Sequence, residues 1–195
     1  MVAVLDRPRT RAVRVNRLRS YTADELIDFP NDDRIWELID GELAEKHVAN
    51  KAAQVAFEMA VRFRAYSDDH GGVVIPPEGF VRLFGSPQQL KRPDTGFVLA
   101  GRLPGDDLGD GYLDIPADVI VEVVSPRDGA ETVELKVRAY LAAGVRVVWL
   151  VYPKARTVHV RAIGVSRVIE GDEVLATEDV LPGFSVRVSE LLGAR

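Results

Sequence analysis

The sequence contains no cysteine, which excludes disulfides and thiolate metal sites. Histidine is scarce. His47, His70 and His159 have no partner three or four residues away, so a zinc site is not expected. No run of about 18 apolar residues occurs, and no membrane span is expected. The first residues, MVAVLDRPRTRAVRVNRLRS, hold arginines but no apolar block, so they do not read as a secretory signal. The cytoplasm is then the default compartment. Neither Gly-x-x-x-x-Gly-Lys-Ser/Thr nor Gly-x-Gly-x-x-Gly is present, so nucleotide cofactors are not indicated. Ser125 lacks a surrounding Gly-x-Ser-x-Gly, which argues against a serine hydrolase. No recognised DNA-binding motif is found.

What is present suits a globular chain. Its 195 residues can bury one sizeable core, and a hydrophobic fraction of 47% is ordinary for such a domain. The charge is uneven. Arg7, Arg9, Arg11, Arg14, Arg17 and Arg19 against Asp6 make residues 1–19 net +5, so the remainder must carry −10 to give the chain its −5. Residues 1–19 read as a basic, flexible arm and residues 20–195 as a single domain. The arm could touch phosphates or stay solvated. The acidic body suits a site that gathers carboxylates around a divalent cation.

The spacing predicts an α/β fold, a mixed central β-sheet flanked by helices. Thr22-Ala-Asp-Glu25 is a capping box and starts a short helix over about 23–29. Asp40-Gly41 divides RIWELIDGELAEKH into two short strands. Residues 50–66 read as helical, with Val55, Met59, Phe63 and Tyr66 on one face and a stop near Gly71-Gly72. Strands are expected over 73–75, 79–84 and 95–99, then a long loop over 101–117. The continuous apolar run 119–124 marks a strand covered on both faces. A helix over 130–143 and a strand over 145–151 follow. Residues 158–163, 167–169 and 173–176 read as a meander, and 188–192 as a short helix.

One residue does not fit its strand. VIVEVVSP places the carboxylate of Glu122 inside a buried apolar run, where a charge without a partner costs about 3–5 kcal/mol. With about 100° per residue on the following helix, Val133, Val137, Tyr140 and Leu141 form the apolar face, and Lys136 falls about 40° from Tyr140. Lys136 therefore lies at the rim of the sheet-facing side, while Glu131, Glu134 and Arg138 are expected to point away. Asp94 follows Pro93 and opens the strand TGFVL, so it lies at a strand end, where sites form in α/β sheets. Two acids at neighbouring strand ends with a lysine beside them suit a divalent cation acting on a phosphate. The same spacing is equally that of a structural ion pair, with Asp94 capping a turn.

At these residues the sequence resembles the Uma2 family (DUF820) of restriction-endonuclease-like proteins, a branch of the PD-(D/E)-x-K nuclease superfamily. The matching blocks are WELIDGEL, RPDTGFV, DVIVEVVSPRD, KVRAYLAAGVRVVWLVYP and LPGFSV, in the family's order. Pro93-Asp94 is similar to the superfamily's Pro-Asp pair and Glu122 to its second acid. The superfamily's lysine position, two residues on, is Val124 here. The resemblance instead places the lysine on the next helix, at Lys136. It implies Mg²⁺- or Mn²⁺-dependent hydrolysis of DNA phosphodiesters. Asp94, Glu122 and the Val123 backbone carbonyl would hold the metal. Some members of that family have an additional acid near the site, for which Glu37, Glu42 and Glu58 are candidates here and Glu37 is preferred. A cutter of both DNA strands would be a homodimer. The competing expectation is a catalytically silent nuclease-like module that binds nucleic acid or protein.

Overall fold

A computed structural model describes residues 19–29 and 34–193. Apart from Arg19, the basic arm of residues 1–19 lies outside the described residues. The chain forms α1 (Ala23–Ile27), β1 (Ile35–Ile39), β2 (Glu42–Lys46), α2 (Asn50–His70), β3 (Val73–Ile75), β4 (Val81–Arg82), β5 (Leu90–Lys91) and β6 (Thr95–Val98). It continues with β7 (Val119–Val123), α3 (Ala130–Ala142), β8 (Val147–Tyr152), β9 (Thr157–Ala162), β10 (Val165–Glu170), β11 (Val174–Ala176), β12 (Ser185–Arg187) and α4 (Val188–Leu191).

Local chemistry fixes most of these boundaries. Thr22 and Glu25 make both halves of the capping box that opens α1. Asp40 and Gly41 turn the β1–β2 hairpin with φ of 51° and 80°, values that Asp tolerates and Gly adopts freely. The buried stripe Ala52, Val55, Ala56, Met59, Phe63 and Tyr66 gives α2 its sheet-facing side. The helix ends at the expected Gly71-Gly72 stop, where Gly71, at φ 72°, caps it.

The central sheet has six strands in the order β10-β9-β8-β7-β6-β3. β7 and β8 are parallel and joined through α3, and the other neighbours are antiparallel. Alternation along β7 sorts its side chains between two cores. Val119, Val121 and Val123 pack with α2, Trp149 and Phe184. Ile120 packs with Val137 and Tyr140 of α3. Glu122, two residues on from Ile120, therefore points to the α3 side. A second sheet, β2-β1-β5-β4, carries the N-terminal hairpin.

Several expectations need correction. The strand expected over 79–84 is paired only at Val81–Arg82, and Phe84 turns the chain with φ 59°. β5 went unanticipated, since two residues cannot display an alternation. The strand expected over 173–176 leaves the meander and pairs with β12 in a separate two-stranded ribbon. Glu134, expected to point away, accepts from the Arg161 guanidinium of β9 at 2.9 Å.

Candidate active site

The register of β6 on β7 pairs Thr95 with Val121. One step further along both strands sets Asp94 opposite Glu122. Asp94 Oδ2 confirms the closeness of these strand ends by accepting from the Val123 amide at 2.5 Å. Glu122 is 8% exposed and Asp94 4%, so both carboxylates need compensation.

α3 supplies it for Glu122. The Lys136 amine lies 2.9 Å from each Glu122 oxygen. The Tyr140 hydroxyl, one turn on, donates to Glu122 Oε1 at 2.7 Å. Lys136 also pairs with Glu37 of β1 at 3.1 Å. Glu37 in turn accepts from the Arg92 amide at 3.0 Å and faces Lys91 at 3.7 Å. Glu42 is exposed, and Glu58 pairs with Arg62 at the surface, so of the three candidate acids only Glu37 joins the cluster.

Four participants were not singled out from the sequence: Lys46, Glu78, Lys91 and the hydroxyl of Tyr140. Lys46 Nζ donates to Asp94 Oδ1 at 2.8 Å, Glu78 Oε1 at 2.9 Å and the Arg92 carbonyl at 2.6 Å. A signal for Lys46 existed. In a hairpin, residues two apart share a face, and β1 pairs Glu37 with Ala44 and Ile35 with Lys46. Glu37, Ile39, Ala44 and Lys46 accordingly line one wall of a cleft of about 620 Å³. Asp94, Glu122, Val123 and Lys136 line the other, and His47 and Arg127 also border it.

Residues 23–189 match the profile of a family described as "Uma2: Putative restriction endonuclease". The chain belongs to the Uma2 family. Its fold is also that of a crystal structure from Anabaena variabilis described as "a putative nuclease belonging to DUF820". The two share 18% sequence identity with a TM-score of 0.74, over 88% of this chain and 97% of that one. No curated protein matches.

The Uma2 cluster is electrostatically strained in a definite pattern. Burial works to raise the carboxyl of Glu37, but Lys136, Lys91, the Arg92 amide and Lys46 outweigh it and hold it below its ordinary value. Burial prevails at Glu122 and keeps its carboxyl above the ordinary range despite Lys136 and Lys46. Burial likewise lowers the amine of Lys91. At Lys136 burial is overcome by Glu122 and Glu37, so its amine holds its proton well beyond the usual lysine range. Lys46 is raised in the same sense, burial being overcome mainly by Glu122 and Asp94.

The donor set fits a hard divalent cation of the Mg²⁺ kind. Such ions take one or two carboxylates and complete their shell with carbonyl oxygen and water. Asp94 and Glu122 stand across one strand pair, with the main chain of Val123 at the cleft wall. Among the described residues no group of three His, Cys, Asp or Glu side chains could hold an ion, so main-chain oxygen and water would have to supply the rest.

The raised amines give an alkaline prediction. The folded pKa of Lys136 and Lys46 exceeds the unfolded value of about 10.4, and that of the Tyr140 hydroxyl, raised by burial and by Glu122, exceeds about 10. Their stabilisation is whole below the unfolded values and is lost as pH rises through the folded ones. Urea midpoints between pH 8 and 11.5 should fall from about pH 10 upward, and more gently in Lys136→Met. Parallel curves for the two proteins would show that Lys136 is not held charged by its neighbours.

Proposed function

We propose that the chain is a divalent-metal-dependent endonuclease that hydrolyses DNA phosphodiester bonds. Asp94, Glu122 and the Val123 carbonyl would hold Mg²⁺ or Mn²⁺. The observation that carries this reading is the Lys136 ammonium, 2.9 Å from Glu122 at an open cleft, with Asp94 on the neighbouring strand end.

The bound cation would polarise a phosphoryl oxygen and acidify a water. The protein's own groups do the rest. Lys136 stays protonated at neutral pH, so it donates hydrogen bonds rather than abstracting a proton. It orients the attacking water and offsets charge growing on the phosphate oxygens. Glu37 holds the other side of the Lys136 amine, and Tyr140 fixes the Glu122 rotamer.

Cleavage of both strands calls for two such sites, which a symmetric homodimer would supply. Among the described residues no helix is long and apolar enough to cross a membrane, and a cytoplasmic location is proposed. The balance of cationic and acidic side chains in the cleft favours a second reading, a silent module that binds nucleic acid or protein.

Supercoiled plasmid incubated with Mg²⁺ or Mn²⁺ decides between them. Nicked and linear forms should accumulate, and EDTA should stop their formation. Equal cleavage by wild type and Asp94→Ala would point to a contaminant and end the nuclease reading.

A further inference from the structure

Lys46 lies outside the groups assigned to the chemistry, yet its ammonium is fully engaged. It has three N–H donors, and three oxygens take them: Asp94 Oδ1, Glu78 Oε1 and the Arg92 carbonyl. Two carboxylates and a main-chain carbonyl are also the oxygens a hard divalent cation selects. Each Asp94 oxygen already accepts one hydrogen bond, Oδ1 from Lys46 and Oδ2 from the Val123 N–H. Glu78 is left less satisfied. Its Oε2 is buried with no hydrogen bond, and Arg92 Nε stands 4.0 Å away. The nest thus holds an acceptor that the three donors of an ammonium leave unused.

Charge counting points the same way. Four carboxylates, Glu37, Glu78, Asp94 and Glu122, face four cationic side chains, Lys46, Lys91, Arg92 and Lys136. A divalent cation added to this balanced, buried cluster would leave it net positive, which surroundings of low polarity penalise. Loss of one resident cation halves that excess. Lys46 is the candidate, because it sits on Asp94, and its four-carbon stem reaches from the end of β2 beside residues 47–49 of the cleft wall.

We propose that the Lys46 ammonium is a resident counter-cation, which holds Asp94 and Glu78 in the metal-free protein and is expelled from its nest when a divalent cation binds Asp94. The proposal rests on the metal-dependent reading above.

The test is Mn²⁺ binding by calorimetry to wild type, Lys46→Met and Lys91→Met. Lys91→Met removes one charge from the same cluster without touching Asp94 or Glu78. Lys46→Met should bind Mn²⁺ about tenfold or more tighter than wild type, and Lys91→Met should gain less. In wild type, acylation by an N-hydroxysuccinimide acetate followed by peptide mass spectrometry should spare Lys46 without metal and label it at saturating Mn²⁺. Mn²⁺ binding that is unchanged or weaker in Lys46→Met overturns the proposal and leaves the metal site standing, as does a Lys46 still protected at saturating Mn²⁺. Wild-type protein that binds no Mn²⁺ overturns both. If Lys46→Met does not fold, the acylation result in wild type decides alone.

Discussion

Lys136→Met is expected to slow plasmid cleavage about 100- to 1,000-fold, the usual loss when one preorganised donor to a developing negative charge is removed. The amine is held from two sides, at 2.9 Å by Glu122 and at 3.1 Å by Glu37. Its position is therefore set before substrate arrives. The loss should fall on turnover and leave DNA affinity nearly intact, because one buried amine adds little to contacts spread along a phosphate backbone. Mn²⁺ binding should survive, since Asp94 and Glu122 remain. Asp94→Ala should lose cleavage and Mn²⁺ binding together. That contrast separates a lysine acting on the phosphate from one that only balances charge. Circular dichroism must show both variants folded, because removal of Lys136 leaves Glu122 and Glu37 less compensated. Cleavage by Lys136→Met within about threefold of wild type, well short of the loss of one preorganised donor, would remove the lysine from the chemistry.

How far the sequence exposes this site depends on which element carries each residue. Glu122 stands out as one charge in an apolar run, and Lys136 follows from helical geometry. Both features are periodic and local, and the structure brings them together as the rotation implies. Glu37 gives the same signal in β1, where Trp36 and Leu38 are buried on either side of it. Lys46, Glu78 and Lys91 belong to the second sheet or its connections. The hairpin register puts Lys46 on the face of Glu37, but the place of all three at the cleft depends on how that sheet docks against the ends of β6 and β7, and no local spacing encodes a docking. Tyr140 was legible as a core residue. Its hydroxyl was not, because periodicity reports a side chain's direction and not what lies at its tip. The same limit applies to the fold. Long α2, buried β7 and β8, and the Asp40-Gly41 hairpin follow from periodicity and turn chemistry. β4 and β5, at two residues each, and the β11–β12 ribbon depend on long-range partners.

Phe63→Ala should be among the most damaging substitutions in the core, costing about 3–5 kcal/mol of unfolding free energy. Phe63 is fully buried on α2. Its ring lies 5.5 Å from Phe97 of β6, 5.6 Å from Trp149 of β8 and 5.3 Å from Phe184 of the C-terminal segment. Three aromatic neighbours on three separate segments cannot all close in on the space left by one ring, so a cavity should persist and its lining should lose dispersion contacts. Aromatic pairing adds to the loss beyond the area involved. Phe63→Leu, which keeps most of the volume, should cost clearly less. Phe57→Ala, six residues earlier on the same helix and 62% exposed, should stay within about 0.5 kcal/mol of wild type. Urea midpoints for the three variants supply the comparison. The damage should also stay on one side of the sheet. Val119, Val121 and Val123 turn toward Phe63, whereas Glu122 turns toward α3. The folded fraction of Phe63→Ala should therefore keep wild-type Mn²⁺ affinity. Equal destabilisation by Phe63→Ala and Phe57→Ala would mean that α2 is not anchored through this aromatic cluster.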